Sequence, residues 1–256
     1  MSTNDQILTQ IQTSKGLCVS PTWLNKFLAS SPNIPAPVLI KTALFRVLAS
    51  DIRESLSTNP TSILPVDISN PNIRESRLQG TIPVQVLDIE DIGSSLWSQV
   101  EAIERVERGE AIRGREIVRT ISVGEDQEAA ENGSTAGAAG NSNSNSNANP
   151  NASGSSGAGP HRLILQDAAG TKALGIEMQR IEGVTLEKLS IGAKLMLRGA
   201  TVARGMILLD PGCTTLLGGR IDSLDRPWKD GRKARLLRTI DAMGDEAPTS
   251  GSGRGR

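Results

Sequence analysis

The chain has 256 residues, with 28 basic and 28 acidic side chains and a formal net charge of zero. That length can bury a sizeable core, and the charge balance argues against a protein that coats nucleic acid by bulk electrostatics. A single His excludes sites built from several imidazoles, and three Trp, two Phe and no Tyr leave little for a base-stacking platform. Cys18 and Cys213 form no CxxC pair, so no disulfide framework is expected. The first residues lack a basic stretch followed by an apolar one, and apolar runs are too short to span a bilayer. The expected setting is cytosol or nucleus, away from membranes.

Residues 1–60 read as a small three-helix bundle. Ile7, Leu8 and Ile11 share one side of a first helix. Ser20-Pro21 looks like an N-cap with Pro at the first helical position, and Trp23, Phe27 and Leu28 then fall near one face. A longer helix opens near Pro37, with Leu44, Leu48, Ile52 and Leu56 recurring every four residues and Leu39, Ala43 and Val47 widening the stripe. Residues 61–77 read as an extended connector.

From residue 78 the pattern turns to strands. Thr81 to Ile89 alternates for much of its length. Arg162–Asp167 and Thr171–Met178 read as a strand pair around Ala-Ala-Gly. Val184–Leu189 reads as a short helix, Lys194–Arg198 as a strand, and Val202–Leu209 as another that resumes at Thr214–Leu217. Strand, strand, strand, short helix, strand, strand is the layout of an OB-fold, a five-stranded Greek-key barrel. The expected fold class is therefore α+β with a mainly β core. The barrel spans 78–222, with a long insertion over 94–160 between its first two strands. Residues 132–160 hold only Asn, Gly, Ser, Thr, Ala and Pro, too little apolar surface to offset ordering entropy, so that stretch reads as disordered. Residues 223–243 read as a basic amphipathic helix and 244–256 as a disordered tail.

The insertion is not uniform. Leu96, Trp97, Val100, Ile103 and Val106 recur at near-helical spacing, among Glu101, Glu104, Glu107, Arg105 and Arg108. This stretch either lies on the barrel as a solvated amphipathic helix or is presented to a partner with Trp97 as anchor. Arg115 to Ile121 alternates and could extend a strand at the barrel edge.

Chemistry is sparse. The barrel strands carry no aromatic residue, and their basic residues are spread out. Lys229, Arg232, Lys233 and Arg235 on the C-terminal helix are candidates for nucleic-acid backbone contact, against a plain solvated face. There is no Walker A loop, GxSxG elbow or HExxH. Asp88, Glu90 and Asp91 read as ordinary strand-end acidity rather than a metal site, and His161, after Pro160, is a poor place for a positioned base. No catalytic residue, cofactor, metal or small-molecule substrate is expected.

Several stretches resemble one family. They are Trp23-Leu24-Asn25-Lys26-Phe27-Leu28, Leu78-Gln79-Gly80 with Pro83-Val84-Gln85-Val86 and Asp91-Ile92-Gly93, Leu165 to Gly170, Gly175-Ile176-Glu177, Ile191 to Leu195, and Gly205 to Leu209 with Leu216-Leu217-Gly218-Gly219. Together they are similar to the RecQ-mediated genome instability protein 1 family, in its compact fungal form. The resemblance implies a non-catalytic nuclear subunit that binds topoisomerase III and, through it, a RecQ-family helicase. It implies that the loop between the first two barrel strands, here Gly93–Gly159, reaches the topoisomerase DNA gate and favours decatenation and dissolution of double Holliday junctions. DNA would be met weakly or through the complex. The expected partner contacts are then Leu96, Trp97, Val100, Ile103, Arg105 and Arg108, with Lys194 on the barrel. An independent single-stranded DNA-binding module is the alternative.

Overall fold

The computed structural model describes residues 3–30, 35–110 and 159–245. The expected Arg115–Ile121 strand and nearly all of the 132–160 tract lie outside them, as does the tail from residue 246.

The N-terminal unit is α1 (Thr3–Lys15), α2 (Pro21–Ala29), α3 (Ala36–Leu48) and the single-turn α4 (Ile52–Ser55). Ile7, Ile11, Leu24, Phe27, Leu39, Ala43 and Val47 form its buried core; Leu24 lies outside the expected stripes, and Leu8, Trp23, Leu28, Leu44 and Leu48 from them are only partly buried against it. Pro21 opens α2 after Ser20, but the Ser20 hydroxyl bonds Thr22 rather than a backbone N–H. Trp23 and Phe27 stack with ring centroids 5.6 Å apart, whereas Phe45 is 69% exposed.

One expectation fails instructively. The run Leu44, Leu48, Ile52, Leu56 keeps a four-residue period, yet the helix stops at Leu48. Asp51 caps a new turn by accepting from the Arg53 N–H. The period continues because Ile52 and Leu56 enter the same core from α4 and its exit.

The strands are β1 (Ser76–Arg77), β2 (Thr81–Asp91), β3 (His161–Gln166), β4 (Lys172–Glu177), β5 (Lys194–Arg198), β6 (Thr201–Ala203), β7 (Met206–Leu209) and β8 (Thr214–Gly218). They pair in the order β1-β6-β7-β4-β3-β2-β5-β8. The pairs β5·β8 and β6·β7 are two halves of one bent antiparallel hairpin, because β5 runs into β6 and β7 into β8. β7 lies parallel to β4, β3 pairs with both β4 and β2, and β2 returns to β5. This ring of pairings is the OB-fold barrel. Val84, Val86, Leu163, Leu165, Leu195, Leu197, Ile207 and Leu209 fill it.

Two sequence expectations are corrected in the barrel. Val202–Leu209 is not one strand but a hairpin turning at Arg204 and Gly205, both with positive φ (51° and 81°). Val184–Leu189 is a set of turns, not a helix. Thr185 Oγ1 accepts from the Lys188 N–H, and buried Val184, Leu186 and Leu189 pin the segment into the barrel core. Tertiary burial thus sets its path where the segment is too short to nucleate a helix.

Bundle and barrel meet across one seam. Met196 on β5 and Leu217 on β8 join the helical core, and Gln85 Oε1 on β2 accepts from the Ile52 N–H. At the centre is Lys194, expected to face a partner but 1% exposed. A side chain so buried reaches no partner surface. Its Nζ donates to the carbonyls of Leu48 (3.1 Å), Ser50 (2.6 Å) and Gly192 (2.7 Å). Burial pulls its pKa down to about 8, while Asp51 opposes the fall.

Lys194→Met would leave those carbonyls without their donor, at a cost of about 2–4 kcal/mol. A lower urea midpoint at pH 7 checks this. The pH dependence carries a second signature. The folded amine releases its proton near pH 8, the unfolded one near 10.5. In that window the unfolded state binds more protons, so this group's contribution to stability rises with pH. The variant lacks that rise, which the difference between the two stability–pH profiles measures.

Candidate functional site

Strand β2 ends where the insertion begins, and β3 starts where it returns. The two roots touch. Ile92 N–H donates to the Pro160 carbonyl at 3.0 Å, and a Cβ on Gly93 would stand 2.5 Å from the Gly159 carbonyl oxygen. Gly93 therefore answers a backbone approach that no side chain would allow. The register sets Asp91 opposite His161, one step from the Arg162–Ile176 pair.

Three polar side chains at this end, Asp91, His161 and Glu177, are buried. Asp91 Oδ1 accepts from the N–H groups of Gly93 (2.8 Å) and Ser94 (3.1 Å), turning the chain out of β2. Glu177 Oε2 lies 2.5 Å from His161 Nδ1 and also accepts the His161 N–H, while its Oε1 accepts from Ile181 N–H. His161, read as poorly placed beside a disordered stretch, is in fact 1% exposed and fixed by a carboxylate. Only a hydrophilic context was visible around it in sequence; its partner lies 16 residues away.

The first part of the insertion is α5 (Leu96–Glu107), capped by the Ser95 hydroxyl. Gln99 Nε2 ties it back to the carbonyls of Asp91 (3.0 Å) and Ser94 (3.1 Å). The expected single C-terminal helix is two, α6 (Asp222–Asp230) and α7 (Arg232–Asp245), divided at Gly231, and α5 packs along α7. Val100 is buried, and Leu96, Ile103 and Arg105 are half-buried. Trp97, by contrast, is 64% exposed and Arg108 stands in solvent with Glu104 and Glu110. The apolar stripe of this helix is covered at Val100 and in part at Leu96 and Ile103, and its Trp97 is exposed.

The four cations expected on the basic helix all have partners within the chain. Lys229 Nζ bonds Asp225 at 2.7 Å, and Asp225 in turn accepts from the Ile191 N–H. Arg232 reaches Gln99 Oε1, and Lys233 bridges Glu107 (2.7 Å) and Glu104 (3.1 Å). Arg235 donates to the Trp228 carbonyl and lies over its ring. Across the helix pair Lys233 of α7 joins Glu104 and Glu107 of α5 in a charged bridge. Trp228, buried, donates Nε1–H to Asp88 Oδ1 at 2.6 Å and so docks α6 on β2.

Among the described residues no group of His, Cys, Asp and Glu could hold a metal ion, and no helix is long and apolar enough to cross a membrane. A helical N-terminal unit, an OB-fold barrel and an insertion rooted between its first two strands define a class of OB-fold proteins. Within that class the chain belongs to the RMI1 family. It matches "RMI1, N-terminal OB-fold domain" over residues 64–232 and "RMI1, N-terminal helical domain" over residues 11–55. It is also similar to RecQ-mediated genome instability protein 1 of Schizosaccharomyces pombe (strain 972 / ATCC 24843). The two are 28% identical over 221 residues, or 84% of this chain and 88% of that protein. Membership supports a role in genome stability.

Trp228→Phe keeps an aromatic side chain but removes a hydrogen bond to a carboxylate and part of the buried indole, and is expected to cost about 1.5–3 kcal/mol. Trp97→Ala, at an exposed site, should stay within about 0.5 kcal/mol of the parent. Chemical unfolding of both variants checks the contrast.

Proposed function

We propose that the chain is a non-catalytic accessory subunit that binds topoisomerase III and, through it, a RecQ-family helicase. Its insertion acts at the topoisomerase DNA gate, promoting decatenation and dissolution of double Holliday junctions in the nucleus. Membership of a family that includes a RecQ-mediated genome instability protein supports this reading. One observation carries the mechanism: the insertion leaves the barrel from a rigid double root, with α5 clamped on α7 and Trp97 turned outward.

That geometry suits a gate element. A helix seated on a barrel loses little freedom on binding, so contact free energy is not spent on ordering it. Acting on an equilibrium between closed and open gates, it needs differential affinity: a preference of about 1.4 kcal/mol for the open state shifts the populations tenfold. Trp97, Leu96, Ile103 and Arg108 stand where a partner can reach them. Val100 and Arg105 support the helix from beneath. DNA contact is carried mainly by the assembly, because Lys229, Arg232, Lys233 and Arg235 are already paired within the chain.

The test is decatenation of linked circles by the cognate topoisomerase III with and without the full chain. Added chain should stimulate it. Trp97→Ala should lower the stimulation at least fivefold without shifting the melting temperature, and deletion of residues 134–158 should leave it within twofold. Stimulation untouched by Trp97→Ala, or tight oligonucleotide binding with no topoisomerase complex, contradicts the proposal.

A further inference from the structure

Five basic residues that the sequence scatters over more than a hundred positions, Arg74, Arg77, Lys172, Arg198 and Arg204, are gathered by the fold at one rim of the barrel. The insertion is rooted where β3 begins, and the β3–β4 turn stands at the other end of β3, about 17 Å away. The β6–β7 turn lies at that same far end, because β7 runs parallel to β4 with Leu174 beside Met206. Lys172 and Arg204 each precede that pair by two residues. The connector wraps the turn: Arg204 N–H donates to the Ile73 carbonyl at 3.1 Å, and its Nη1 to the Pro71 carbonyl at 3.3 Å. Arg74 follows Ile73. β1 then carries Arg77 to the β5–β6 bend, where its Nε donates to the Gly199 carbonyl at 2.9 Å, next to Arg198.

All five side chains are exposed. Other exposed arginines are neutralised within the chain, Arg53 by Asp51, Arg162 by Glu90 and Arg220 by Asp222. The five at this rim have no carboxylate partner among the described residues. Arg77 and Arg204 are held by carbonyls instead, which orient a guanidinium without cancelling its charge. Arg77 spends only its Nε–H, so its two-pronged end stays free. Arg204 sits at φ 51°, a conformation uncommon outside Gly, and two bonds to the connector hold it there. The neighbouring acidic residues are Asp67 and Glu75 in the connector and Asp210, whose Oδ1 is taken by the N–H groups of Gly212 and Cys213.

A chain of zero net charge thus carries a local positive rim. Since β5–β6 form the fourth strand of the barrel and β7–β8 the fifth, the β6–β7 turn is the loop that OB-folds offer to oligonucleotides. The barrel strands have no aromatic residue, so bases are not stacked. Forked guanidiniums match phosphate oxygens, and charges strung along a rim suit a phosphate backbone better than one compact anion. We infer that this rim is a weak, sequence-independent contact for the phosphate backbone of nucleic acid, at the end of β3 remote from the insertion roots. It is a property of the chain alone and stands apart from the accessory-subunit reading above, so failure of either leaves the other untouched.

The experiment follows the fluorescence anisotropy of a labelled mixed-sequence duplex, and of one of its strands alone, titrated with the full chain over about 50–200 mM salt. Binding should fall as salt rises. Arg77→Gln and Arg204→Gly should each weaken it about threefold and reduce the log–log salt slope by about one phosphate's share. Gly adopts a positive φ freely, so Arg204→Gly keeps the turn. Arg77→Lys loses the fork but keeps the charge, and should retain the wild-type slope; a slope reduced as much as in Arg77→Gln marks a structural effect and overturns the proposal. Arg46→Gln removes the same charge from the exposed surface of α3 and should change neither affinity nor slope. Equal losses in Arg46→Gln reduce the binding to bulk electrostatics and overturn the rim as a site, as does binding to neither probe at low salt. Poly-glutamate is the competing probe: if the rim variants weaken its binding and leave the nucleic acids unaffected, the rim serves an acidic protein and the proposal fails.

Discussion

Everything in the architecture turns on one buried ammonium. Lys194 stands where the helical unit meets the barrel, and three backbone carbonyls converge on its Nζ. Two of them, from Leu48 and Ser50, are carbonyls left without helical partners where α3 ends. The third, from Gly192, precedes β5. Burying a cation is costly, and the lowered pKa expresses that cost. The site tolerates it because each donor position is filled and Asp51 lies close enough to favour the charge. The bond set also fixes a geometry. It holds the end of α3 against β5, so that the bundle covers the β5–β8 side of the barrel.

The insertion depends on a second constraint of the same kind. Its roots come from strands that pair directly, so whatever leaves at Gly93 must return at Gly159. Buried Asp91, His161 and Glu177 hold the strand ends, and Gln99 carries the restraint into α5. The α5–α7 pair then extends the barrel as a solid arm rather than a free loop. Exposed surface ion pairs contribute little to stability. Those of Lys233 with Glu104 and Glu107 serve chiefly to set which face of α5 turns outward.

Much of the fold was legible because it rests on local periodicity. The stripes of α1 to α3, the alternation in β2, β3 and β4, and the place of the insertion all follow from spacings within a dozen residues. The failures share a cause. The continued four-residue period from Leu44 to Leu56 hides a break, since a helix and the turn after it can feed one core. A basic stripe over 223–243 suggests a helix face in water, yet Arg232 and Lys233 find partners on α5, more than a hundred residues earlier, while Lys229 and Arg235 bond groups of α6. The two rings set on helices differ in the same way, Phe45 on α3 being exposed while Trp228 docks α6 on Asp88.

The same division applies to the site. Residue types and spacing by themselves determined an OB-fold interrupted between its first two strands, the lack of a stacking platform on those strands, and an amphipathic helix bearing Trp97. These are properties of short segments, and a pattern of period two or 3.6 encodes them directly. Only the tertiary structure decided that Lys194 is a seam rather than a contact, that His161 is held by Glu177, and that the cations of the last helices are already paired. It also decided which apolar strand faces are covered. Each of these depends on which distant groups are brought within about 3 Å of one another, and no local pattern in the chain records that.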